Sequence, residues 1–249
     1  MNNFFFCLEI NKNIHLHPND NSETVSDLLY GEKFKILNKK KNWYKIKTVY
    51  DRYNGYIKIK KYTSNFYSTH KTNKLKSKIY KKVGRKFLPT KLYLSFSSKI
   101  QKLSSYANFI KFEKNKWIKK SDINQLNYKT KDFKKIFKLF LNTKYKWGGK
   151  SYKGLDCSAL LQMFFYFNNE FCPRDTVKQI PFFKTNLKVK KNYRDLIKKI
   201  IFWKGHVAIK TNKKELIHAY GPKRKVIIMK KDKTINKINN DTGLKPIYI

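Results

Sequence analysis

In the stretch Gly154-Leu155-Asp156-Cys157-Ser158-Ala159-Leu160-Leu161-Gln162 a single cysteine stands between an aspartate and a serine, just where a long apolar run begins. A thiol in that setting can be a small buried hydrophobe, a metal ligand or a nucleophile. Two histidines further along narrow the choice. His206-Val207-Ala208-Ile209-Lys210 and Glu215-Leu216-Ile217-His218-Ala219 flank the polar Thr211-Asn212-Lys213-Lys214, which predicts a hairpin. A register centred on Asn212 places His206 directly opposite His218 with both side chains on one face, so that one imidazole can orient the other. Cys157 is expected at the start of a helix running through Leu160, Leu161, Phe164 and Phe167, with Cys172-Pro173 as its outer limit. Unsatisfied N–H groups and the positive dipole end at that position favour a thiolate over a thiol. A nucleophile, a base and an orienting group together meet the requirement for cysteine acyl-transfer chemistry.

The remaining cysteines and histidines read blandly. Cys7, Cys157 and Cys172 cannot all pair with one another and none forms a CxxC, which speaks against a disulfide framework or a zinc knuckle. Cys7 and Cys172 are expected to be structural, and His15, His17 and His70 to be surface or satisfied core residues.

The elements that must position these groups change texture near residue 125. Before it, Lys33-Phe34-Lys35-Ile36-Leu37, Trp43-Tyr44-Lys45-Ile46-Lys47 and Gly55-Tyr56-Ile57-Lys58-Ile59 alternate with period two, as strands of a small barrel do. Lys91-Leu92-Tyr93-Leu94, Phe109-Ile110-Lys111-Phe112 and Lys116-Trp117-Ile118 repeat the pattern more weakly. This predicts a first barrel over 1–62, a linker over the Ser-, Thr-, Asn- and Lys-rich 63–85, a second barrel over 86–124 and an α+β domain over 125–249. In the last, Asp132 can cap a helix whose Phe133, Ile136, Phe137 and Phe140 form one apolar stripe.

With 249 residues and 41% hydrophobic content the chain can build two or three cores. Its formal charge of +42, from 58 Lys and Arg against 16 Asp and Glu, would ordinarily suggest a polyanion partner. The lysines are spread along the whole chain among abundant Asn, Ile, Tyr and Phe, which reads as a general residue bias, so no specific nucleic-acid partner is expected. The N-terminal MNNFFFCLEI is too short an apolar patch, without a basic flank, for a signal peptide or a membrane span. A cytoplasmic location is the expectation, with the periplasm or cell wall as the alternative.

At the same residues the chain resembles a known family. Tyr145-Lys146-Trp147-Gly148-Gly149, Gly154-Leu155-Asp156-Cys157-Ser158, Gly205-His206-Val207-Ala208-Ile209 and Leu216-Ile217-His218-Ala219 look like the NlpC family of papain-like murein peptidases. Leu28-Leu29-Tyr30-Gly31-Glu32 and Asp51-Arg52-Tyr53-Asn54-Gly55-Tyr56 resemble the bacterial SH3-like domain of that family's dipeptidyl-peptidase VI branch, which carries a second, degenerate SH3-like unit. The resemblance implies a papain-like catalytic domain behind two small SH3-like β-barrels. It implies Cys157 as nucleophile, His206 as base, His218 as the residue orienting His206, and Tyr145 near the oxyanion. Asp156 and Ser158, assisted by Glu32 and Tyr53, would grip the free L-Ala amine of a murein peptide. Trp147 reads first as part of a turn beneath the helix and second as substrate-binding; Arg174 and Gln179 match recurring family positions read as structural.

The implied reaction is hydrolysis of the γ-D-Glu to L-diamino-acid bond in peptides with a free N-terminal L-Ala, releasing L-Ala-γ-D-Glu without a metal or organic cofactor. A free amine exists only after removal of the muramyl group, which implies recycling of cut wall peptides. Alternatives are a wall-remodelling endopeptidase acting on the intact sacculus and a non-catalytic module docking on wall fragments. The chain departs from the family at Ala159, where glycine is usual, and at Lys198-Lys199, where a Gly-Asp pair usually sets the approach of the base strand.

Overall fold

The computed structural model describes residues 4–249, and the chain divides into two compact units, Met1–Lys129 and Thr130–Ile249.

The N-terminal unit is built almost entirely of antiparallel strands. Seven of them, from Phe4–Cys7 to Tyr62–Thr63, form one sheet around Cys7, Ile14, Leu28, Phe34, Ile46, Ile57 and Ile59. Period-two alternation is visible in Trp43–Thr48, where Trp43, Ile46 and Thr48 are buried and Lys45 faces solvent, a shift in phase between 43 and 46 marking a local irregularity. A five-stranded and a three-stranded sheet follow, around Ile79, Leu94, Ile100, Ile110, Phe112, Ile118 and Ile123.

The expected linker over 63–85 is overturned here. It holds His70–Thr72 and Lys76–Val83, and Lys76–Val83 forms a long hairpin with Lys86–Ser95 across Gly84-Arg85. Lysine is common in linkers, yet in this strand the ammonium groups sit over aromatic rings: Lys78 Nζ is 4.1 Å from the centre of the Tyr93 ring and Lys82 Nζ 3.8 Å from that of Tyr106. The second core is also not separate. Tyr30, from the 1–62 stretch, is buried in it edge-on to Phe112 and donates its hydroxyl to Glu113 at 3.2 Å.

The C-terminal unit opens with helix α1 (Phe133–Leu139), capped by the Asp132 side chain, which accepts from the Lys135 N–H; the stripe Phe133, Ile136, Phe137 and Phe140 is buried as the spacing predicts. Helix α2 (Cys157–Phe167) is buried along all eleven residues and packs on the strands His206–Lys210 and Glu215–Tyr220. A helix hydrophobic all round is what an interior position demands. Those strands belong to a five-stranded antiparallel sheet in the order Lys225–Lys230, Glu215–Tyr220, His206–Lys210, Ile200–Trp203 and Ile247–Tyr248. Among the described residues no helix is long and apolar enough to cross a membrane.

Lys198-Lys199 lie where the chain leaves the short helix Arg194–Ile197, the Lys199 N–H bonding to Leu196 O and the Lys199 carbonyl accepting from Lys210 N–H at 2.8 Å each. The approach of the His206 strand is set instead by its hairpin with Ile200–Trp203, which closes through Lys204-Gly205, with Trp203 paired to His206 and Gly205 at φ +82°.

Candidate active site

Cys157 is the first residue of α2 and Asp156 its N-cap. The thiol is 4% exposed, with Sγ 3.9 Å from the Gly205 carbonyl oxygen. It also lies within the reach of the Val207 and Ser158 backbone N–H groups, so the backbone on both sides of His206 surrounds it. Burial opposes the thiolate that a helix start favours. Burial, reinforced by the Asp156 charge, pushes the thiol up to about 12, outweighing the N–H groups and Arg174, which act the other way.

His206 and His218 come together through a register other than the one expected. Ile209 pairs with Ile217 and Lys210 with Leu216, two residues away from a register centred on Asn212. A one-residue slip would have sent the imidazoles to opposite faces; a two-residue offset keeps them on one face as diagonal neighbours. His206 Nε2 lies 2.9 Å from His218 Nδ1, and Tyr220 stacks on His218 with centroids 4.6 Å apart and planes at 16°. Burial pushes His206 down to about 4, and burial plus the proximity of His206 pushes His218 down to about 3, so both rings are neutral at pH 7.

Asp156 does more than cap the helix. Its Oδ1 accepts from Ala159 N–H at 2.8 Å, Ser158 Oγ at 3.0 Å and Arg174 Nη1 at 2.9 Å; its Oδ2 accepts from Gly148 N–H at 3.0 Å and Arg174 Nη2 at 2.6 Å. Arg174, 1% exposed, also donates to Ser158 Oγ at 3.0 Å and to the Gly149 carbonyl at 3.2 Å. Gln179 then ties Ser158 O to Pro173 O through its amide nitrogen, at 3.0 and 2.9 Å. This bidentate pair is the strongest type of charge-assisted contact and fixes the nucleophile's helix to the turn before it. The sequence marks Arg174 only as a structural residue; the signal available was an arginine where lysine is the chain's usual cation, and arginine alone offers a planar two-pronged donor.

Tyr145 is half-buried in a bridge to Leu155, and burial and the neighbouring Cys157 and Asp156 raise its hydroxyl above its ordinary value, keeping it a proton donor. Gly148 and Gly149 are buried as the expected turn requires, and a Cβ on Gly149 would stand 2.4 Å from Gly154 O. Trp147 departs from that turn reading: it is 58% exposed. Ala159 is fully buried in α2, where its methyl fits without displacing the helix. Glu32 and Tyr53 lie in the N-terminal unit. The Glu32 carboxylate is buried and accepts from Leu29 N–H at 2.9 Å, and Tyr53 is half-buried, its backbone bonded to Thr48. Among the described residues no group of three or more His, Cys, Asp and Glu side chains is placed to hold a metal ion.

Residues 142–241 match the NlpC/P60 family model, and residues 14–61 match the model of the bacterial dipeptidyl-peptidase SH3 domain. The fold is similar to that of an NlpC/P60 family protein from Bacillus cereus ATCC 10987, with a TM-score of 0.74 at 18% identity over 91% of this chain and 94% of that one. It is also similar to an NlpC/P60 endopeptidase from Photobacterium damselae subsp. piscicida, with a TM-score of 0.64 at 12% identity over 98% of this chain and 70% of that one. No curated protein matches the chain by sequence.

Proposed function

We propose, from the premise that this chain carries an NlpC/P60 family domain behind an N-terminal bacterial SH3 domain, that it is a cysteine peptidase cleaving the γ-D-Glu to L-diamino-acid bond of murein peptides with a free N-terminal L-Ala. NlpC/P60 is a cysteine peptidase family acting on cell-wall peptides. The observation that carries the reading is the buried Cys157 thiol at a helix N-terminus, held against the backbone around His206, whose ring is bonded at 2.9 Å to His218.

The steps follow from the free atoms. His206 Nε2 is engaged by His218, which leaves Nδ1 to take the thiol proton as Sγ attacks the γ-glutamyl carbonyl carbon. The oxyanion forms near the Tyr145 hydroxyl, a retained donor. Collapse of the tetrahedral intermediate breaks the C–N bond, and His206 returns the proton to the departing diamino-acid amine. Water, giving its proton to the same nitrogen, then hydrolyses the thioester and releases L-Ala-γ-D-Glu and free thiol. Because thiol and imidazole are both neutral at rest, proton transfer accompanies attack.

Selectivity for the free amine is supported by the dipeptidyl-peptidase type of the matched SH3 domain, and Asp156, Ser158 and Trp147 are its proposed contacts in the peptidase unit. The Asp156 oxygens already accept five donors, so an ammonium group binding there exchanges with at least one of them. We read 86–124, with the strands before it, as the second SH3-like unit, and assign the enzyme to cytoplasmic recycling of cut wall peptides.

Mass-spectrometric product analysis on L-Ala-γ-D-Glu-diaminopimelate-D-Ala and its N-acetylated twin, with wild type and Cys157→Ala, tests this. L-Ala-γ-D-Glu released from the free peptide alone, by wild type alone, is the expected result. Equal cleavage of both peptides would move the assignment to wall remodelling, and cleavage of neither would end the peptidase reading in favour of a binding module.

A further inference from the structure

Two neutral imidazoles in contact do not by themselves determine where the protons are. In one arrangement His206 Nε2–H donates to a bare His218 Nδ1, and His206 keeps a lone pair on Nδ1. In the other, His218 Nδ1–H donates to a bare His206 Nε2, and His206 Nδ1 is protonated and unable to act as a base. The 2.9 Å separation fits both. Something beyond the pair must break the tie.

The other edge of His218 faces Met229: His218 Nε2 lies 3.3 Å from its sulfur. His218 is paired with Ile227, and Met229, two residues on, shares that face of the sheet. The thioether packs against Ile201, Trp203, Ala208, Leu216 and Ile238, which hold it in place. Tyr220 lies flat on the His218 ring and so covers its face, leaving the edge nitrogens to His206 and Met229. A thioether has lone pairs and no proton, so it can only accept. A bare Nε2 against it would set lone pair against lone pair; a protonated Nε2 makes a hydrogen bond.

Resting on the peptidase reading above, we propose that Met229 is the positioning residue that sets the direction of the proton chain: its sulfur holds the proton on His218 Nε2, which leaves His218 Nδ1 as acceptor, fixes the proton of His206 on Nε2 and keeps His206 Nδ1 unprotonated as the base. An uncharged acceptor does this without placing an anion beside the rings.

Long-range ¹H–¹⁵N NMR of the imidazoles at pH 7 tests this without any turnover, in wild type, Met229→Leu and Met229→Gln. Leucine keeps the volume and removes the acceptor; glutamine supplies a carbonyl acceptor. Expected are Nε2–H on both rings in wild type, redistribution of His218 toward Nδ1–H in Met229→Leu with kcat down about 5- to 10-fold and KM unchanged, and recovery of Nε2–H in Met229→Gln. A share of wrong tautomer near nine-tenths corresponds to about a tenfold loss of competent enzyme. Nδ1–H on His218 in wild type, or identical tautomers in wild type and Met229→Leu, would overturn the proposal. Should Met229→Leu not fold, the wild-type and Met229→Gln spectra decide it. A wild type showing the expected tautomers but cleaving no peptide would sink the peptidase reading and leave the Met229 assignment standing.

Discussion

His206 Nε2 meets His218 Nδ1 at 2.9 Å although the hairpin register does not set the two residues opposite each other. They are diagonal neighbours on one face, and their rings bridge the offset at a centroid distance of 5.1 Å. The ring planes cross at 62°, and the two nitrogens meet across that angle. Four predictions follow from this site and its supports.

Acidification should destabilise the C-terminal unit through these rings. Both are held below the ordinary value of 6.5, to about 4 and about 3, so the folded state binds fewer protons than the unfolded state once the pH drops below about 6.5. Their contribution is complete above pH 6.5 and is lost as the pH falls toward 4 and then 3. The His206 shift alone is worth on the order of 3 kcal/mol. Denaturant unfolding measured from about pH 8 to 3.5 should show the decline, and His218→Asn should make it shallower; an equal slope in both proteins would contradict it.

Cys157 should label as a thiol and not as half of an ion pair. With the thiol pushed up to about 12 and His206 down to about 4, iodoacetamide modification of Cys157 should be slow at pH 7 and climb steadily through about pH 9. Peptide-level mass spectrometry resolves it from Cys7 and Cys172, which are also buried. A fast rate, flat between about pH 5 and 9, would mean a thiolate–imidazolium pair at rest.

Removing Arg174 leaves the Asp156 carboxylate buried without its counter-charge. Arg174→Met should destabilise by about 3–5 kcal/mol. Arg174→Lys restores the charge and not the paired geometry, so it should recover only part of that loss. Chemical denaturation gives the ordering. Full recovery in the lysine variant would show that charge alone matters and that the two-pronged bond to Oδ1 and Oδ2 does not.

Two glycines near the thiol should respond to alanine in different ways. At Gly149 a Cβ would stand 2.4 Å from the Gly154 carbonyl oxygen, so Gly149→Ala must displace the turn that offers Gly148 N–H and Gly149 O to the Asp156–Arg174 pair. At Gly205 a Cβ meets nothing within 4 Å, and the strain is only the φ of +82°, about 1–2 kcal/mol. Thermal unfolding should show a large loss for Gly149→Ala and a modest one for Gly205→Ala, with the latter slowing the enzyme because its carbonyl faces Sγ. The reverse order of stability would refute the steric argument.

What could be read from the chain was whatever depends on local period and residue type. The Asp132 cap, the stripe from Phe133 to Phe140 and the helix beginning at Cys157 all came from spacing along one element. The two histidines were placed on one face because parity survives a two-residue error, whereas the register itself depends on pairing energies that no single strand contains. The strand within 63–85 is hidden because its lysines look solvated in composition and only the fold brings their ammonium groups over Tyr93 and Tyr106. The dipole at a helix start is local and legible in the sequence, whereas the desolvation that opposes it comes from chain folded around the thiol. Arg174, Gly205 and Met229 act through partners 18, 48 and 11 residues away, contacts that only the fold creates.

The complete burial of α2 has a consequence for how the protein breathes. Its amide hydrogens, enclosed along the whole helix, can trade with solvent deuterium only when the unit opens cooperatively, so they belong among the slowest-exchanging in the chain. The sulfur therefore rides on the last segment to come apart, while the Lys204-Gly205 corner that faces it is exposed to solvent and free to exchange early. The nucleophile is the anvil of this site, and adjustment to a substrate falls to the corner that closes against it.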